Sequence, residues 1–280
     1  MSMLAMQEVL QKIHKLPSLP TVVMELLASI DQEDTDVGAL AVKISQDQAL
    51  TAKALRLANS SFYGMAHEVT TMQQSIAILG FRTIRSVATT AALISLLPGR
   101  GSPAFDLSAF WRHCIATAVC ARELAPSLGI NSEHAYTAGL LHDIGLLVLV
   151  TQFPSGFDAV LAHQAQQGGT LIEAERAVLG LDHAVVGHAL TQHWKFPKAL
   201  QQAVAVHNAL PQADEDGLVT VVRAASAMAL ALADTMDEGA EVPPGVLESG
   251  KPLGLDATAM VQVVVRVRKD FAGACLVLGT

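Results

Sequence analysis

His142 and Asp143 are adjacent in the run Gly139-Leu140-Leu141-His142-Asp143-Ile144-Gly145. The flanking residues are apolar, so an imidazole and a carboxylate enter a region that the chain otherwise keeps dry. Burying either group costs on the order of several kcal/mol unless it finds a partner. A divalent metal ion would serve both, since it takes an imidazole nitrogen and a carboxylate oxygen. A further histidine, His113, lies upstream in Trp111-Arg112-His113-Cys114. A turn at Gly129-Ile130 separates the two segments. With a rise of about 1.5 Å per residue, an antiparallel helix pair would bring His113 and His142 to levels within roughly 6 Å of each other. Spacing alone leaves a second reading open, in which both are structural histidines with ordinary hydrogen bonds.

The elements that must position these residues read as helices. Val23, Leu26, Leu27 and Ile30 recur at helical spacing after Pro20, and Val37, Leu40, Ala41 and Ile44 do so after Asp36. Asp36 and Asp47 are expected N-caps for two successive helices. A longer helical stretch is predicted from about Thr71 to Leu97, with Gly80 near its middle. The Gly- and Pro-rich stretch from Pro98 to Phe105 is the best boundary, dividing an N-terminal helical portion (1–99) from a helical domain (100–280). Beyond it the pattern predicts a helix opened by Asp106 or Ser108 and stopped near Pro126. A helix from Ser132 to Val150 follows, then others at about 157–167, 170–179, 183–194, 198–207, 218–236 and 257–271. Segment 237–255 reads as a loop with at most one short helix. No alternating stretch demands a sheet, so the fold class is all-α.

Composition narrows the function. The 280 residues are 51% hydrophobic and 16% charged, with 4% aromatics. Ala, Leu and Val supply much of the apolar content, which suits packed helices better than a sheet. A net charge of −8 argues against a general nucleic-acid surface, which needs Lys and Arg to displace phosphate counterions. Arg82 and Arg85 give only two charges to the segment Leu79–Arg85, and packing explains its apolar positions. Cys114, Cys120 and Cys275 have no CxxC spacing and read as buried free thiols in a reducing compartment. The N-terminus lacks a basic start followed by an apolar signal core, and the apolar run 136–150 is short and interrupted by His142 and Asp143. No membrane association and a cytoplasmic location are the expectations.

His113 followed by His142-Asp143-Ile144-Gly145 resembles the HD superfamily of metal-dependent phosphohydrolases. More of the chain is similar to one branch, the HDOD (HD-related output domain) family. The similarity runs through Leu16-Pro17-Ser18-Leu19-Pro20, Asn59-Ser60-Ser61-Phe62-Tyr63-Gly64 and Ser75-Ile76-Ala77-Ile78-Leu79-Gly80. It continues through Glu175–Gly180, Asp182-His183 to Gly187, Trp194–Pro197 and His207. It covers roughly residues 10 to 210. The resemblance implies an HD-like helical core joined to an N-terminal helical portion. It also implies a part in bacterial signal transduction, with signalling proteins or a nucleotide as partners. At this length the chain is expected to be a stand-alone output module.

The same resemblance marks departures. HD-GYP phosphodiesterases carry a Lys where this chain has Leu146, and paired histidines where it has His207-Asn208. Ser226 falls where the closing HD aspartate is expected. The implied ligand set is therefore His113, His142 and Asp143, joined by His183 and His207. That set suits one divalent transition metal (iron, manganese, nickel or zinc) better than a two-metal centre. A non-catalytic output module is the expected function, with a metal-dependent phosphohydrolase of nucleotides or cyclic dinucleotides as the alternative. Glu173 and Glu175 are expected on a solvated helix start. His188 and His193, five residues apart, do not share a helix face. His14, His67, His134 and His163 read as surface groups.

Overall fold

The computed structural model describes residues 4–31, 36–60, 68–96, 102–237 and 239–278. Ser61–Gly64, His67 and residues 97–101 of the expected boundary fall outside that set. The described residues form α-helices and short 3-10 turns, with no strand among them. In chain order the helices are α1 (Met6–Ile13), α2 (Thr21–Ala28), α3 (Val37–Ser45), α4 (Gln48–Ala58), α5 (Met72–Leu79), α6 (Phe81–Leu96), α7 (Leu107–Leu124) and α8 (Ser132–Leu141). They continue with α9 (Ile144–Gln152), α10 (Pro154–Gln167), α11 (Leu171–Leu179), α12 (His183–His193), α13 (Lys198–Val206), α14 (Gly217–Ala231), α15 (Pro244–Ser249) and α16 (Ala257–Cys275).

The chain groups into two compact units, residues 1–17 with 97–267 and residues 18–96 with 268–280. Each unit is discontinuous in sequence, a pairing that a single linear boundary at residue 99 does not express. The first residues are tied into the larger unit by backbone and side-chain bonds. Leu4 N–H donates to Leu179 O at 2.9 Å, and the Trp194 indole N–H donates to Pro17 O at 3.2 Å.

In the smaller unit, Asp36 and Asp47 cap α3 and α4 through side-chain bonds to Ala39 N–H and to Ala49 and Leu50 N–H, as the sequence predicts. The helical stretch expected over 71–97 consists of two helices that meet at Gly80. Gly80 takes φ +80°, a conformation that favours glycine, and α5 and α6 meet there at 115°. Arg85 is buried beside the Phe81 ring, 5.7 Å from its centroid, so it is no surface cation.

In the larger unit, α7 packs on α8 and α14, α12 on α9 and α13, and α10 on α11. Asn131 caps α8, its side chain accepting from Glu133 and His134 N–H. The helix expected from Ser132 to Val150 breaks at His142-Asp143. Asp143 adopts φ −100°, ψ 13° and precedes α9 without capping it through its side chain. The carboxylate is committed elsewhere. The apolar stretch 132–152 is long enough to cross a membrane on length and composition, but most of it is buried inside the protein. Gly139 lets α8 approach α7 closely: a Cβ there would lie 2.9 Å from Ala118 Cα and Thr117 O.

Candidate metal centre

Five residues from four places in the chain converge in the larger unit. His113 comes from α7, His142 and Asp143 from the α8–α9 break, His183 from the start of α12 and His207 from the end of α13. Asp143 is shared. Its Oδ2 lies 3.2 Å from His142 Nε2 and 3.7 Å from His113 Nε2. Its Oδ1 lies 3.3 Å from His183 Nε2 and 3.1 Å from His207 Nε2. His113 and His142 stand 3.3 Å apart at Nε2. In each of the two triplets, His113/His142/Asp143 and Asp143/His183/His207, the donor atoms fall within 4.8 Å of one another. The structure brings together all five residues that the sequence singles out.

The outer faces of the rings decide what the inner faces can do. His142 Nδ1 donates to Gly139 O at 2.7 Å, and His207 Nδ1 donates to Val204 O at 2.8 Å. His183 Nδ1 faces Glu175 Oε2 at 2.7 Å. With Nδ1 protonated in each, the Nε2 atoms of three rings point inward at one carboxylate. This is how metal-ligating histidines are held, each giving its other ring proton to a fixed acceptor. The donor set therefore fits a divalent cation. His113, His142, Asp143, His183 and His207 would hold it. A bound divalent ion would act as a Lewis acid toward oxygen ligands.

Electrostatics sort the rings by their surroundings. Burial and the neighbouring His142 lower the His113 pKa to about 4, against a small opposing pull from Asp143. Burial likewise lowers that of His207, against Asp143. Burial would depress His183 too, but its hydrogen bonds to Asp143 and Glu175 outweigh this and raise it to about 10. Burial pushes Asp143 upward, yet the histidines around it hold its carboxyl well below the usual range. The cluster thus calls for positive charge beside Asp143.

Glu175 is the functional residue that the sequence reading misplaces. It is fully buried under His183, not solvated. Glu173 is the exposed one, forming a capping box with Thr170 at the start of α11. Helical spacing carries the missing signal, since Glu175 shares a stripe with Leu171 and Leu179, four residues to either side. Asn208 is exposed, with Nδ2 at 3.0 Å from His183 Nε2 and 2.5 Å from His207 Nε2. Leu146 is buried within α9. Ser226 lies half-buried on α14. Arg223, on the same helix, donates to the carbonyls of Val206 and His207 at 3.2 and 3.3 Å and pairs with Glu215, so it braces the end of α13. His188 and His193 take no part in the cluster. His188 bonds to Gln201 O, and His193 stacks near His14.

An all-helical unit built around a buried His–Asp cluster is an HD-like domain. The model of the HDOD domain matches residues 16–210, and the chain belongs to that family. A crystal structure of a Shewanella amazonensis SB2B protein named "Putative phosphohydrolase" is 29% identical, covers 96% of this chain and 97% of its own, and superposes with a TM-score of 0.77. An HDOD domain protein of unknown function from Geobacter sulfurreducens has the same fold, at 22% identity and a TM-score of 0.73, with 98% of each chain covered. An uncharacterized protein of Treponema pallidum (strain Nichols) is 26% identical over 209 residues, 73% of this chain; the match spans 40% of that relative's length.

Proposed function

We propose that this chain is a non-catalytic signal-transduction output module whose His–Asp centre binds one divalent metal ion and whose output passes through protein or ligand binding. One observation carries the reading: among the described residues Asp143 is the single carboxylate in contact with all four imidazoles, and it serves both histidine pairs. Two dications bridged by one carboxylate would carry a large uncompensated charge in a site where His142, His183 and His207 are buried. A two-metal clamp on both attacking and leaving oxygens is therefore poorly supported. The neighbouring positions point the same way. Leu146 offers no cation to a phosphate, Asn208 presents an amide, and Ser226 lacks a carboxylate. His113 and Asp143 are partly exposed and Asn208 is exposed, so the centre is not sealed from solvent. Signalling proteins are the partners this reading calls for. A cytoplasmic location goes with it, supported by the buried thiols of Cys114 and Cys120.

A metal-dependent phosphohydrolase is the second reading, favoured by the intact five-residue cluster and by the name of the Shewanella relative. One assay separates the two. The purified chain is incubated with manganese, iron, nickel or zinc and a panel of nucleotides and cyclic dinucleotides. The expected result is no turnover above a His142→Ala/Asp143→Ala variant. Metal-dependent turnover abolished in that variant would overturn the non-catalytic reading. A thermal-shift panel over the same nucleotides tests ligand binding, since a ligand specific for the native state raises apparent stability.

A further inference from the structure

Glu175 has no role in the five-residue set, yet its carboxylate is fully buried. Both of its bonds end on His183. Oε2 accepts from the His183 backbone N–H at 2.9 Å and from His183 Nδ1 at 2.7 Å. Oε1 is buried with no hydrogen-bond partner among the described residues. A backbone bond alone would secure the start of α12, and Asp182 already caps that helix through Val185 N–H while pairing with Arg176. The bond to Nδ1 is therefore surplus to folding the turn. Its consequence is chemical. It holds a proton on Nδ1 and leaves Nε2 facing Asp143, where a bound cation would take the place of the Nε2 proton. The acceptors behind His142 and His207 are neutral backbone carbonyls. Among the rings with described Nδ1 partners, His183 alone is backed by a carboxylate, which makes its ring the stronger electron donor.

We infer that Glu175 is a positioning residue for the metal centre: it locks His183 as an Nε2 donor and supplies the second negative charge that matches the site to one divalent cation. The inference rests on the single-metal reading above. Asp143 and Glu175 lie on opposite sides of the same imidazole, one at Nε2 and one at Nδ1. Together they offset a dication while leaving the imidazoles neutral.

The test is calorimetric titration of Co2+ into the full metal-free chain, for wild type, Glu175→Gln and Glu175→Leu. The amide keeps an acceptor oxygen but loses the charge, and leucine loses both. Affinity is expected to fall about 10-fold in Glu175→Gln and about 100-fold in Glu175→Leu, the range typical of lost outer-shell partners. Binding in Glu175→Gln within about threefold of wild type would overturn the inference and leave the metal reading standing. Failure of the wild type to bind Co2+ would overturn both. Circular dichroism checks that each variant folds. A second measurement needs no variant: 15N imidazole NMR of the Zn2+-loaded wild type. A proton on His183 Nδ1 and none on Nε2 is expected, and the opposite tautomer would refute the assignment.

Discussion

Gly145 sits where α9 crosses α12, and replacing it with alanine should disturb fold and site together. A Cβ there would lie 1.9 Å from His183 O, 2.4 Å from Gly187 N and 2.9 Å from Gly187 Cα. All three are backbone atoms, so no side-chain rotation relieves the clash. Ordinary contact near 3.4 Å requires the two helices to part by about 1.5 Å. Overpacking of this kind costs roughly 1–3 kcal/mol, and a clash with backbone belongs at the upper end. At about 2–4 °C per kcal/mol for a unit of this size, Tm should fall by roughly 6–12 °C. The same displacement carries Asp143 away from His183, now 3.3 Å apart between Oδ1 and Nε2, so Co2+ affinity should drop at least 10-fold, as it does when the outer shell is disturbed. Thermal unfolding and metal titration on Gly145→Ala measure both. A Tm within about 2 °C of wild type, with unchanged Co2+ binding, would refute the close-packing argument for this glycine.

Other substitutions have separate readouts. Thr170→Ala removes the capping box of α11 and should cost about 1 kcal/mol, seen as a Tm loss of a few degrees. Arg223→Ala frees the Val206 and His207 carbonyls and should cost about 1–2 kcal/mol while weakening metal binding through His207. The Arg223 hydrogen bond holds the Glu215 pKa below its usual value, so this carboxylate stabilises the fold above the unfolded carboxylate range near 4 and ceases to do so as pH falls through its lower folded value. The Tm gap between wild type and Glu215→Gln should be full at pH 7 and close in acid. After solvent screening it should stay below about 1 kcal/mol. A gap that widened on acidification would contradict the pairing.

His142-Asp143 was legible as a polar pair in an apolar run, whereas His183 and His207 entered the set only through the resemblance to the HDOD family. Helix rise allowed His113 and His142 to converge but left open that both were structural histidines; the 3.3 Å Nε2 separation decides it. What escaped was local backbone. An apolar run from Ser132 to Val150 keeps helical periodicity across a break, because periodicity records which face is buried and not whether the axis is continuous. The break exists so that Asp143 can turn its carboxylate into the cluster. Glu175 escaped for a related reason. Its neighbour Glu173 belongs to a recognisable solvated cap, and adjacency suggested one role for two carboxylates that face opposite ways. The discontinuous units follow from pairings of chain ends, which no local pattern encodes.

Elemental analysis of the protein purified without chelator, combined with native mass spectrometry, tests the central claim most directly. One divalent metal per chain, lost in Asp143→Ala, is the predicted result. Two ions per chain, or none even after loading with iron, manganese, nickel and zinc, would contradict it.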